Sequence, residues 1–223
     1  MKKQIPIDDK IIQFINKFPN KFSIILGYSG FFSALVYRAI AASDDKFVWK
    51  DYFCGVDTEN LKPLEWPRKT EGFLTYTIDN NKPNFRENHA TTVHLGQWVL
   101  NKYTDINHLV EDSEKNKILL FRTHELDLYK KLHNVKTVRI YGDIKKIINP
   151  KKSGFRDRRP ITSVEYENVH NLCIDKFMSD NYDDYFEEYF NLCKFYDMML
   201  NANNVRAFIL LHKERLQRWS LSL

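Results

Sequence analysis

The sequence predicts an α/β fold: a central parallel sheet flanked by helices in three layers, with a helical C-terminal part. Three observations predict it. Short apolar runs rich in β-formers occur at Lys21–Leu26, Ile118–Phe121 and Val135–Tyr141. Segments of helical length or tight turns follow them, and that alternation implies parallel strands joined by right-handed crossovers. Gly and Pro number only 7 each in 223 residues, too few for a loop-rich all-β fold or long linkers. Length favours one domain spanning 1–223.

Taken in order, Asp8 or Asp9 caps a short helix whose apolar side carries Ile11, Ile12, Phe14 and Ile15. The first strand, ending at Leu26, is broken by Gly27-Tyr28-Ser29-Gly30, and residues 31–42 continue at helical length. Strand character returns over Lys46–Phe53 and Gly72–Ile78. Between them, Cys54–Thr70 reads as a loop. The stretch Phe85–Val110 is ambiguous and leans helical from Thr92. After the second buried strand, Glu125–His133 reads as a helix. The third strand stops at Gly142-Asp143, and Ile144–Ile148 forms a short helix before Pro150. Lys151–Pro160 is a basic loop. Helices are expected at Val164–Phe177, Tyr182–Leu200 and Asn204–Trp219, the second with aromatics at core-packing spacing.

Hydrophobic residues make up 43% and charged residues 28%, the composition of a soluble globular protein. The net charge of +5 is too modest to make the chain a nucleic-acid binder by itself. Cys54, Cys173 and Cys193 are odd in number and lack a CxxC spacing. They suit a reducing, cytoplasmic setting rather than a disulfide framework or a zinc site. The N-terminus meets Asp8 and Asp9 before any apolar run, unlike a signal peptide. The apolar stretch Phe22–Ala42 is interrupted by Tyr28, Ser29, Gly30 and Arg38, so no membrane span is expected.

Ligands of open α/β sheets bind beyond the carboxyl ends of the strands, where Gly27 and Gly30 fall. Glycines let main-chain N–H groups approach an anion, the following helix start adds unpaired donors, and Ser29 and Ser33 add hydroxyls. The Gly-Lys-Ser/Thr ending of a Walker A loop is missing, and a tight turn without ligand remains the other reading. His124, in Arg122-Thr123-His124-Glu125, directly follows the second strand and belongs on the same edge. Imidazole suits proton abstraction near neutral pH, with Glu125 or Asp127 as orienting groups, and a structural histidine is the alternative. His89, His94 and His108 show no metal spacing, and His133, His170 and His212 read as helix-surface or cap residues; no metal is assigned. Lys145, Lys146, Lys151, Lys152, Arg156, Arg158 and Arg159 lie within fifteen positions. They can grip phosphate, form a solvated basic surface, or dock a polyanionic partner.

Together these segments resemble the sulfotransferase family, a P-loop-like nucleotide-binding fold. The stretch Phe22–Leu35 is similar to the family's loop for the 5′-phosphosulfate, where a Ser-Gly pair precedes a helix. Arg122-Thr123-His124 is similar to the Lys-Thr-His that carries the catalytic base. Lys136–Tyr141 falls where the family has its 3′-phosphate-binding strand. The similarity covers blocks 22–42 and 117–150. It implies transfer of a sulfuryl group from 3′-phosphoadenosine 5′-phosphosulfate to a hydroxyl or amine of a small-molecule or saccharide acceptor. His124 would then act as base, and Gly27, Tyr28, Ser29, Gly30, Phe31, Phe32 and Ser33 would form the phosphate loop. Lys145, Lys146, Arg156 and Arg158 would supply cations for the donor. Three departures stand out. The third block lacks the family's Arg…Ser pair for the 3′-phosphate. Tyr28 occupies the place of the family's Lys or Arg, and Phe31 and Phe32 follow the glycine where Thr is usual. Losing the loop cation removes charge stabilisation from the leaving phosphate.

Two other functions stay open. A nucleotide-binding phosphotransferase lacks its loop Lys and an evident magnesium-binding Asp. A non-catalytic module of the same fold would use the basic loop to bind a polyanion, with nucleic acid an unlikely partner. Trp66, Phe85 and Trp98 are candidates for an acceptor pocket, with core packing the safer reading.

Overall fold

The computed structural model describes residues 7, 9–27, 33–48, 116–143 and 160–221. The expected strand at Gly72–Ile78, the helix at Ile144–Ile148, and Trp66, Phe85 and Trp98 lie outside them.

Among the described residues, five parallel strands form one sheet in the order β2-β3-β1-β4-β5: β1 (Phe22–Leu26), β2 (Phe47–Val48), β3 (Ile118–Thr123), β4 (Lys136–Tyr141) and β5 (Val169–Cys173). All of β1 is buried, because this central strand is covered on both faces. Its alternate residues feed two cores. Phe22, Ile24 and Leu26 join Leu119 and Phe121 against helix α1 (Asp9–Lys17) and the turn residues Leu128, Tyr129 and Leu132. Ile25, Leu120, Val138, Ile140 and Leu172 face the opposite way. They meet helices α2 (Ser33–Ser43), α4 (Tyr182–Tyr196) and α5 (Ala202–Leu221). A single-turn helix, α3 (Ile174–Phe177), leads out of β5. The three-layer α/β/α arrangement is therefore the expected one.

Local chemistry sets the element ends. Asp9 and Lys17 sit at the ends of α1 that favour their charges. Asn181 caps α4 by accepting from the Asp183 N–H at 2.9 Å. Asp197, left-handed at φ 53°, ends it, and Lys46 donates to the terminal carbonyls of Tyr196 and Asp197.

Two expectations are corrected. Glu125–His133 is not an α-helix: it contains only a 3₁₀ turn over Leu128–Lys131, and Asn134 reverses the chain at φ 58°. The connection must cross over β1 and enter β4 within residues 124–135. Its apolar residues are spent on covering the sheet. Val164–Phe177 is not one helix either, since β5 occupies Val169–Cys173. His170 consequently lies on a strand rather than a helix surface. Polar residues inside β5 hid it. Asn171 uses its side chain to bind both the N–H (2.9 Å) and the carbonyl (2.6 Å) of Val164, and His170 stacks on Phe195.

Candidate functional site: the carboxyl rim of the sheet

The chain leaves β1 toward β2 at one edge of the sheet. It leaves β3 and β4 toward the other edge. Correspondingly, α2 packs on one face and residues 128–135 on the other. The carboxyl end of β1 is thus the point where the connections diverge, the place where open α/β sheets bind ligands.

Gly27 sits at this point. Its N–H donates to the Thr123 carbonyl at 3.1 Å, extending the parallel ladder one residue past β1. Its carbonyl lies 2.6 Å from Nδ1 of His124, which directly follows β3. A carbonyl only accepts, so Nδ1 carries the proton. In the neutral ring the lone pair is then on Nε2, the form a general base requires. The orienting group established for the imidazole is thus a main-chain carbonyl. Of the carboxylates considered for that role, Asp127 pairs with Lys130 at 3.0 Å. Thr123, buried, accepts from the Glu125 N–H at 3.2 Å through Oγ1 and so shapes the main chain on either side of His124.

Close packing explains the glycine at 27. A methyl group there would lie 3.3 Å from Ile140 Cδ1 and 3.5 Å from the Cβ of Ser33. Ser33, buried at the start of α2, is therefore beside the point where β1 ends. The chain departs at Gly27 and returns at Ser33 almost to the same place. Tyr28, Ser29, Gly30, Phe31 and Phe32 lie outside the described residues, as do Lys145, Lys146, Arg156 and Arg158. The anchors of the basic segment are described. Gly142 N–H donates to Ile161 O at 3.0 Å and Ile161 N–H to Gly142 O at 3.2 Å, immediately beyond β4. The chain thus leaves for residues 144–159 from the carboxyl rim and re-enters there.

Farther along the rim stands a group that sequence reasoning missed. Tyr141 and Cys173 are paired in register at the ends of β4 and β5. The Cys173 N–H donates to the buried carboxyl of Glu188 at 2.6 Å, and the Asp143 N–H to Asp175 Oδ2 at 3.1 Å. Burial pushes the Glu188 carboxyl up, and burial with the Cys173 thiol beside it pushes the Tyr141 phenol up to about 12. The one available signal was Gly142-Asp143 at a strand end. Reading 164–177 as a helix concealed that Cys173 ends a neighbouring strand and that Asp175 lies just beyond it.

Fold and rim define the class: an α/β protein whose described strands form one parallel sheet, with the candidate site at the carboxyl end of β1. No family model matches the chain, and no curated protein or solved structure matches it. No helix among the described residues is long and apolar enough to cross a membrane.

Proposed function

We propose that the chain is a sulfotransferase-like enzyme. It moves a sulfuryl group from 3′-phosphoadenosine 5′-phosphosulfate to a hydroxyl or amine of a small-molecule or saccharide acceptor. The single observation that carries this reading is the hydrogen bond between His124 Nδ1 and the Gly27 carbonyl. It sets a base-competent imidazole against the start of the segment that resembles the family's phosphate loop. Also in favour are the return of the chain at Ser33 beside Gly27 and the anchoring of the basic segment on the same rim. In the reaction the acceptor oxygen or nitrogen attacks sulfur, and the bond from sulfur to the bridging phosphate oxygen breaks. The acceptor proton passes to Nε2 of His124, and the nucleotide 3′,5′-bisphosphate leaves. Main-chain donors at the start of α2 would meet the charge that develops on the leaving phosphate.

A second reading rests on the same bond: His124 ties the end of β3 to the exit of β1 and does nothing else. His124→Asn separates the two, because the Asn amide can donate to Gly27 O as Nδ1 does but offers no group in place of Nε2. Expected for the enzyme are a melting temperature near that of the wild type and a transfer rate lower by about 10²–10⁴-fold. Transfer at the wild-type rate would remove His124 from the chemistry. Binding is checked by thermal shift. Adenosine 3′,5′-bisphosphate should raise the melting temperature, equivalent to about 2.7 kcal/mol at a hundred times its Kd, and adenosine 5′-phosphate should do much less. Equal shifts with the two nucleotides would overturn the assignment of the donor.

A further inference from the structure

We infer that Arg139 anchors a separate binding site, one that takes the oxyanion of a small phosphate or carboxylate. The observation behind it is a buried cation with a vacant edge. Arg139 lies in β4, in register with Leu26 of β1 and Asn171 of β5. Its neighbours Val138 and Ile140 face α2, α4 and α5, so Arg139 projects to the opposite face of the sheet, where α1 packs. The residue is 7% exposed, and among the described residues no carboxylate pairs with it. Nη1 donates to the Thr162 carbonyl, and the guanidinium carbon stands 5.9 Å from the centre of the Tyr129 ring. Nε is buried without a hydrogen-bond partner. Nη2 also lacks a partner among the described residues, but it is not sealed as Nε is. Nε and Nη2 share one edge of the guanidinium. That edge is the fork that grips two oxygens of one carboxylate or phosphate through parallel hydrogen bonds.

Burying a charge is unfavourable unless it is paired and its donors are satisfied. One carbonyl and the face of Tyr129 offset part of that cost. A methionine would cover the same ring at no such cost, so packing alone does not account for an arginine here. An oxyanion does account for it, because it supplies the opposite charge and both missing acceptors together. Residues 160–168 lie over this face without helix or strand of their own. They run from the Gly142–Ile161 bridge to the turn before β5. Tyr166, 46% exposed on this segment, meets Tyr129 edge-on at 5.0 Å and places an aromatic surface beside the guanidinium. The start of α2 belongs to the other face, with Ser33 close to Ile140 across Gly27. The site is therefore distinct from the carboxyl rim, and the inference does not rest on the sulfuryl-transfer reading.

The test uses the full-length protein, with inorganic phosphate and acetate as probes and NMR as the readout. In the isotope-labelled wild type, the Nε–H signal of Arg139 should shift and saturate, and the ring protons of Tyr129 should move with it. The tighter probe tells whether the ligand carries phosphate or carboxylate. Arg139→Lys keeps the charge and loses the fork, so binding read at Tyr129 should weaken by about tenfold or more. Arg139→Met should melt no lower than the wild type without anion, and its Tyr129 signals should stay still at every probe concentration. The wild-type titration decides the matter whether or not the variants fold: an Nε–H signal that neither probe moves would overturn the inference. Tyr129 shifts of wild-type affinity in Arg139→Met would overturn it as well, since the anion would then be held by other groups.

Discussion

Individual residues at the rim are constrained by contacts that a sequence cannot display. Gly27 and Gly142 both follow strands, and the structure crowds a side chain at each to a different degree. At Gly27 the limit is space beside Ile140 and Ser33. At Gly142 it is also conformation. The residue has φ 125°, and a methyl group there would come within 2.9 Å of Asp175 Oδ2 and 3.0 Å of Ile174 Cγ2. Gly142→Ala must strain the backbone and displace the carboxylate that accepts the Asp143 N–H, so a loss of about 1–3 kcal/mol is expected in urea unfolding. Because Gly142 also bridges Ile161, the damage should concentrate there: amides of 142 and 161 should exchange faster than those of β1. Uniform acceleration across the sheet would contradict a local role for the glycine.

At the scale of elements, α4 is keyed into the molecule by phenols. Tyr185 donates to the carbonyl of Ala202 at 2.7 Å, where α5 begins. The Tyr189 hydroxyl lies 2.7 Å from Ser43 Oγ at the end of α2 and accepts from the Asn201 N–H at 3.2 Å. The Tyr196 hydroxyl lies 2.5 Å from Ser23 Oγ in β1. Burial raises the pKa of all three phenols, that of Tyr189 to about 12, so they stay neutral. Removing single hydroxyls should produce an order. In Tyr196→Phe, Ser23 keeps its bond to the Lys136 carbonyl at 3.0 Å, and the cost should be about 1 kcal/mol. Tyr189→Phe strands the Asn201 N–H, while Ser43 keeps Ala39 O at 2.6 Å, and about 1–3 kcal/mol should be lost. Denaturant midpoints of the two variants check the order, and a larger loss in Tyr196→Phe would reverse the argument.

These contacts show what the sequence made legible and what it withheld. Strands β1, β3 and β4 and helices α1, α2, α4 and α5 are readable because each has a sustained apolar period and a clear breaker. Strand β5 lacked one: His170 and Asn171 interrupt its pattern for tertiary reasons, a ring stack and a loop tether. The segment after His124 looked helical because its leucines fit that period, yet a short crossover over β1 dictates its path. That His124 and Gly27 share one edge followed from parallel strand direction, whereas their contact depends on β3 lying beside β1, which the sequence did not display. The pairing of Tyr141 with Cys173 was not legible either, because it needs β5.

At the scale of the whole molecule, a half-buried histidine and a buried carboxyl oppose one another in acid. His170 is stacked on Phe195 at 5.3 Å, its Nε2 is buried without a hydrogen-bond partner, and loss of solvation pushes its pKa down to about 4 from 6.5. The unfolded chain therefore binds this proton first. Stability is complete above about pH 6.5 and declines as the pH falls toward 4, by on the order of 2–3 kcal/mol. Glu188 has the reverse sign. Burial favours its neutral form, so its folded pKa lies above the ordinary 4.5, and the fold gains stability as the pH falls through that raised value. Asp180, held below the ordinary carboxylate range by Lys213, contributes its loss only at lower pH. Unfolding free energies measured between about pH 7 and 4 should then move in opposite directions in two variants. His170→Phe keeps an aromatic surface for Phe195 but has no proton to gain, and its profile should be flatter than that of the wild type. Glu188→Gln keeps an acceptor for the Cys173 N–H but cannot ionise, so it forfeits the compensating gain, and its acid decline should be steeper. If both variants fall with pH in parallel to the wild type, the acid sensitivity belongs to other groups, and the burial of these two carries no weight in it.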